Sequence, residues 1–198
     1  MTIKTSLKQR GVTSIEFPFI VVSSMVIVFG LVAIYRLMYT QTRVDSTAFI
    51  LADIVARTFD GKELNPAMTL DERIDAQFAA EELLTIARRI LPTGIAPENI
   101  GLKLEIRRQN PTSGVIHSAQ RVAGANCIAS SSIKNLSDLA PKSERNERSL
   151  QGRTATLVQA TLCVEHPFSP DSQFEFTDLV LPNRLTSKAV MIGGRYAL

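Results

Sequence analysis

The chain has 198 residues, of which 45% are hydrophobic, and its formal net charge is +3. This length accommodates one membrane helix and one modest domain. Residues 1–11 contain three of the 22 Lys+Arg and none of the 19 Asp+Glu, so the rest of the chain is formally neutral. The basicity therefore belongs to the N-terminus, and it argues against a nucleic-acid-binding protein.

An uncharged apolar run of nineteen residues, Phe17 to Tyr35, follows the basic N-terminus. At about 1.5 Å per residue, a helix of this length spans nearly 30 Å, enough to cross a bilayer core. Lys4, Lys8 and Arg10 predict that the N-terminus stays in the cytoplasm while the rest crosses. We therefore predict a single-pass membrane protein whose C-terminal domain lies on the side of the membrane away from the cytoplasm.

Glu16 stands at the start of this run, where a carboxylate at membrane depth costs on the order of 2–3 kcal/mol. A partner for it arises if the chain is cut after Gly11, because Val12 then carries an α-amine. Val12 and Glu16 are four residues apart, so on a helix they share one face, about 6 Å apart along the axis. Glu16 can then neutralise its own amine or that of a neighbouring subunit.

The N-terminus carries a basic leader ending in a glycine, then a glutamate at the fifth position after that glycine and an aromatic residue directly after the glutamate. This pattern resembles the type IV prepilin signal. The resemblance implies cleavage by a prepilin peptidase between Gly11 and Val12, and assembly roles for Glu16 and Phe17. A Sec signal peptide fits poorly, because its cut site should follow the apolar run and consist of small residues. The best candidate cut site, Leu31-Val32-Ala33, has a leucine where a small residue is required. A plain signal anchor remains open, although it explains neither Gly11 nor Glu16.

Beyond Arg36, apolar residues recur at steps of three and four, which predicts that the helix continues. These residues are Val44, Ala48, Leu51, Val55 and Phe59. We expect one helix from about Val12 to Phe59, ended by Asp60-Gly61, with Pro18 bending it near its start. Its first half is apolar all round and its second half is amphipathic.

A second helix is predicted after Asn65-Pro66, since Thr69 and Glu72 form a capping box and Pro92-Thr93-Gly94 ends the periodic pattern. Its expected buried stripe comprises Ala79, Leu83, Ile86, Ala87 and Ile90. From Leu102 the apolar period becomes two, so Lys103, Glu105 and Arg107 are expected on the open side of a half-buried strand.

Further strands are predicted after the turn signal Asn110 to Gly114. They are Val115 to Val122, Thr154 to Glu165 and, more weakly, Phe174-Glu175-Phe176 and Lys188 to Ile192. The fold class is therefore α+β, with helices against a small antiparallel sheet. We divide the chain into a leader (1–11), a transmembrane half-helix (12–35), a periplasmic amphipathic half-helix (36–60) and a periplasmic α+β domain (61–198).

Cys127 and Cys163 are the only cysteines, and an even count in an exported domain suggests a disulfide, with two free thiols as the alternative. A metal site is not expected, because His117 and His166 show no ligand spacing with either cysteine. The polar stretch 128–153 between the cysteines is predicted to be a solvated surface loop, with a partner-contact loop as the alternative.

The run Leu157 to Glu165 follows an upstream cysteine and the stretch Leu136-x-x-Leu139-x-Pro141. Together they resemble the C-terminal part of TadF in the TadE/TadF pseudopilins, the minor pilins of the tight-adherence (Tad, or Flp) pilus. The resemblance implies a disulfide between Cys127 and Cys163. It also implies, as partners, a prepilin peptidase, a partner pseudopilin, a major pilin, an inner-membrane assembly platform and the bilayer.

Enzymatic equipment is not expected, because the sequence shows no phosphate loop, metal-ligand cluster or nucleophile elbow. We predict no cofactor. The expected function is that of a minor pilin that primes assembly of a Tad pilus or occupies its tip. This pilus is an extracellular fibre used for adherence. Two alternatives remain open, namely an uncleaved anchored periplasmic binding or secretion module and a type II secretion pseudopilin.

Overall fold

The computed structural model describes residues 13–58, 80–109, 115–128, 131–142, 154–168 and 182–193. The chain divides into two units, Met1–Tyr39 and Thr40–Leu198. Helix α1 (Thr13–Thr58) runs through both units, and the other described elements belong to the second. Several predicted features lie outside the described residues, namely Gly11, Val12, Phe59, the Thr69–Glu72 capping box, the Asn110–Gly114 turn and the strand at Phe174.

The predicted first helix is confirmed over its described length, since α1 is continuous from Thr13 to Thr58 with Pro18 inside it. Its second half is amphipathic as expected, because Val44, Ala48 and Leu51 are fully buried while Phe49 is 55% exposed. Near its end, Arg57 Nε lies 2.7 Å from Asp53 Oδ2. This hydrogen bond and the charge of Asp53 raise the pKa of Arg57.

Helix α2 (Ala80–Ile90) is described from Ala80 onward, and its buried residues are Leu83, Leu84 and Ala87. The predicted stripe was wrong at Ile86, which is 37% exposed, and it missed Leu84, which is fully buried. Leu84 and Ile86 are about 200° apart around the helix, so only one of them can face the β1–β2 side of the sheet, which α2 contacts.

The sheet contains β1 (Ile100–Gln109), β2 (Ile116–Gly124), β3 (Thr156–Glu165) and β4 (Arg184–Gly193). All neighbouring strands are antiparallel, and their order is β2-β1-β3-β4. The α+β class is therefore confirmed. Strand β4 begins four residues before the predicted Lys188, because Arg184 still pairs with Glu165 across the β3–β4 ladder.

The two faces of the sheet differ in chemistry. The first face is apolar, with Leu102, Leu104 and Ile106 of β1 opposite Leu162, Ala160 and Val158 of β3. Helix α1 lies on this side of the sheet. A Cβ added to Gly193 of β4 would be close to Val158 on this face and 3.7 Å from the carbonyl oxygen of Ala56 in α1. The second face presents the alternate residues, which include Glu105, Gln159, Thr161 and Cys163.

The prediction that β1 is half-buried is wrong, because Glu105 on its second face is only 2% exposed. The stretch expected to be a solvated loop provides the cover. Residues 131–142, here called the covering segment, contain a 3₁₀ helix (Ile133–Leu139). Ile133 is 1% exposed and packs with Ala140 and Leu157. The loop prediction therefore fails for this part of 128–153, whose outer positions, such as Leu139, do remain exposed.

Candidate functional site

Glu16 lies in the first turn of α1 and is exposed. A carboxylate there interacts favourably with the positive end of the helix dipole, by about 0.3–1 kcal/mol at an exposed site. Phe17, the next residue, is 70% exposed. The predicted processing residues Gly11 and Val12 lie outside the described part of the chain, so their geometry relative to Glu16 stays a prediction.

The helix that follows Glu16 is long and apolar enough to cross a membrane, and its most apolar stretch has no buried residues. Large side chains point outward on all sides, including Phe19 at 74%, Ile27 at 63% and Leu31 at 62% exposure. The hydroxyl of Ser24 donates to the carbonyl of Val21 at 2.8 Å, so this polar group is satisfied within the helix. Such a surface is suited to lipid or to other apolar helices.

Two tyrosines lie where the uncharged run ends. The rings of Tyr35 and Tyr39 stack at a centroid distance of 6.3 Å, on either side of Arg36 in sequence. Aromatic rings are enriched at the boundary between hydrocarbon and headgroups, where their apolar and polar parts are both accommodated. This end of the run therefore has the composition of a membrane interface.

Cys127 and Cys163 form a disulfide, with a Cα–Cα distance of 5.4 Å. Cys163 is fully buried on the second face of β3, and Cys127 precedes the covering segment, so the bond fixes this segment to the sheet. Disulfides persist in oxidising compartments. The bond thus agrees with an exported domain.

Beneath the covering segment lies a buried polar cluster that the sequence analysis missed. Glu105 accepts hydrogen bonds from Ser132 Oγ at 2.9 Å and from Gln159 Nε2 at 3.1 Å, and Lys103 Nζ lies 3.4 Å from its Oε1. Gln159 Nε2 also donates to the carbonyl of Ser131 at 3.0 Å. Glu105 and Gln159 are paired across β1 and β3. Only strand register brings them together, and alternation along one strand does not reveal it.

Metal-ligating side chains are not clustered in the described part of the chain. Within the described ranges, no group of three or more His, Cys, Asp and Glu could hold a metal ion. His117 lies in β2, and His166 follows β3 with a positive φ of 46°, its backbone N–H donating to the carbonyl of Asn183 at 2.8 Å. For His166 the observed role is to continue the hydrogen bonding at the β3–β4 end.

The observed features define a class of protein, a chain with a membrane-length N-terminal helix headed by an acid and a disulfide-bonded α+β domain. The family model described as "Putative tight adherence pilin protein F" (TadF) matches residues 4–193. Because this match covers nearly the whole chain, the protein belongs to the TadF family. None of the curated proteins and none of the solved structures matches it significantly.

Family membership makes the chain a component of a Tad pilus system, and its long apolar helix fits the single-pass anchor of a pilin. Pilus-assembly proteins are therefore its partners in general terms.

Proposed function

We propose that this protein is a minor pilin of a Tad pilus, cut after Gly11 by a prepilin peptidase and incorporated through α1. The observation that carries the proposal is the exposed carboxylate of Glu16 in the first turn of an apolar helix of membrane length. In a TadF-family chain, a charge at the start of an apolar helix gains most from an oppositely charged partner, which another subunit or a new N-terminus can supply.

We further propose the topology of the precursor. Lys4, Lys8 and Arg10 keep the N-terminus in the cytoplasm, where the peptidase cuts, and the α+β domain lies in the periplasm. The Cys127–Cys163 disulfide supports this orientation, because the periplasm is oxidising and the cytoplasm is not.

Assembly then exchanges lipid for protein around α1. The exposed apolar side chains between Phe17 and Tyr35 leave the bilayer and pack against the helices of a partner pseudopilin and of the major pilin at the inner-membrane assembly platform. Glu16 neutralises the α-amine of Val12, its own or that of a neighbour. The protein works as a priming or tip subunit and not as an enzyme.

The function is tested by replacing Glu16 with alanine and counting pili. The E16A protein should insert into the membrane at the normal level, since the change removes a charge from the edge of an apolar run, while fibre numbers fall. The matched control is E82A, which removes an exposed carboxylate from α2 in the domain and should leave piliation normal. Normal fibre numbers in E16A would contradict the proposed role of Glu16.

A further inference from the structure

Arg36 is the first charged residue after the apolar run of α1. No other charged residue lies between Glu16 and Arg43, so Arg36 stands alone in this part of the sequence. Because the nineteen-residue run spans about 30 Å as a helix, Arg36 lies where the hydrocarbon of a bilayer ends and the headgroups begin. The proposed cleavage and the role of Glu16 do not use this residue.

The charge of Arg36 has no partner within the described part of the chain. Arg36 is exposed, and it forms neither an ion pair nor a side-chain hydrogen bond with the described residues. The next acid along α1, Asp45, accepts a hydrogen bond from Gln41 Nε2 at 3.0 Å. A guanidinium at the edge of the hydrocarbon extends towards the interface, where the phosphates of lipid headgroups supply negative charge.

Two tyrosines on the same side of α1 complete a surface that suits a lipid headgroup. Tyr35, Arg36 and Tyr39 lie within a sector of about 100° around the helix, and Tyr39 is one turn from Arg36. The rings of Tyr35 and Tyr39 stack at a centroid distance of 6.3 Å and are 69% and 46% exposed. The hydroxyl of Tyr35 forms no hydrogen bond with the described residues, so it is available to a phosphate oxygen.

We propose that Tyr35, Arg36 and Tyr39 bind the phosphate of an anionic phospholipid. The planar guanidinium of Arg36 supplies charge-assisted hydrogen bonds that match a phosphate in geometry. A zwitterionic headgroup carries its own cation, which competes with Arg36 for the phosphate, so an anionic headgroup is preferred. The tyrosine rings pack against the upper part of the acyl chains. The bound lipid fixes the depth and the rotation of α1 in the membrane.

The test uses the full-length protein reconstituted into phosphatidylcholine vesicles, with tyrosine fluorescence as the readout. The chain has three tyrosines and no tryptophan, and two of the three are Tyr35 and Tyr39. A small fraction of the lipid carries bromine atoms on the upper acyl chain, which quench fluorescence on contact. This brominated lipid is either phosphatidylglycerol or phosphatidylcholine. The proposal predicts stronger quenching by brominated phosphatidylglycerol at the same mole fraction.

The variant R36Q tests the arginine itself. It should lower the preference for phosphatidylglycerol about fivefold, the usual contribution of one arginine at an anionic surface. Insertion should persist, because the change removes a positive charge from the translocated side. R89Q removes the same charge from an exposed position of α2 and should keep the preference. R36K retains the charge without the planar fork, so its preference should lie between those of R36Q and the unchanged protein.

The proposal is overturned if the two brominated lipids quench equally. It is also overturned if R36Q and R89Q lower the preference by the same factor, since the overall charge would then explain it. Quenching by neither lipid would overturn it together with the membrane placement of α1, on which it rests. Cleavage after Gly11 can fail without changing any of these results, so the two proposals are tested separately.

Discussion

Glu105 and Glu16 are carboxylates in opposite environments, one buried and one exposed. Glu105 is 2% exposed and is held by Ser132, Gln159 and Lys103, so its charge is satisfied inside the domain. Glu16 is exposed at the start of an apolar helix. A buried charge with partners stabilises a unique arrangement only while all partners remain, and this makes Glu105 the more sensitive position for folding.

Replacement of Glu105 by alanine should destabilise the domain by about 2–4 kcal/mol, because Lys103 and Gln159 then lose a buried acceptor. The measurement is hydrogen exchange of the β1 and β3 amides in the full-length protein, which reports the free energy of opening. E81A, a change to an exposed carboxylate of α2, should stay within about 0.5 kcal/mol. Equal protection in E105A and E81A would show that the cluster contributes nothing to stability.

At the scale of elements, the disulfide and the covering segment act together. The bond joins residues separated by 36 positions, and in the chain-entropy model such a crosslink contributes about 4 kcal/mol. The double variant C127S/C163S should therefore unfold at a clearly lower urea concentration than the unchanged protein. The measurement is a urea titration in which the circular dichroism signal of the sheet reports unfolding. An unchanged midpoint would mean that the buried contacts of Ile133 suffice to hold the segment.

The second half of α1 belongs to the core of the domain, and substitution on its two faces should show this. L51A removes a fully buried side chain and should cost about 2–5 kcal/mol, because it leaves a cavity. F49A is two residues away on the same helix at a position 55% exposed, and should cost less than about 1 kcal/mol. Hydrogen exchange of the β3 amides distinguishes the two, and similar effects would argue against burial of this helix face.

The elements with a clear period were predictable from the sequence, as α1 and β3 show. Leu84 was missed because two adjacent leucines leave the centre of a helical stripe ambiguous by one residue. Glu105 looked solvent-facing because alternation describes one strand, whereas burial of the second face depends on a segment 26 residues further on that returns to cover it.

At the scale of the whole molecule, one chain combines a helix made for an apolar environment with a disulfide-bonded domain. Beyond residue 11 the chain is formally neutral, so the only strong charge asymmetry is the basic leader. Removing that leader would free an amine near Glu16 and delete the residues that hold the N-terminus on the cytoplasmic side. Processing would thus convert a membrane-anchored precursor into a subunit ready for assembly.

Cleavage after Gly11 is the claim on which this account depends most, and the mass of the protein tests it directly. Intact-mass and N-terminal peptide analysis should be made on the protein from membranes of cells with and without the prepilin peptidase. The account predicts a chain that begins at Val12 when the peptidase is present and at Met1 when it is absent. A chain that begins at Met1 in both would leave Glu16 without its amine partner and would indicate an uncleaved anchored module.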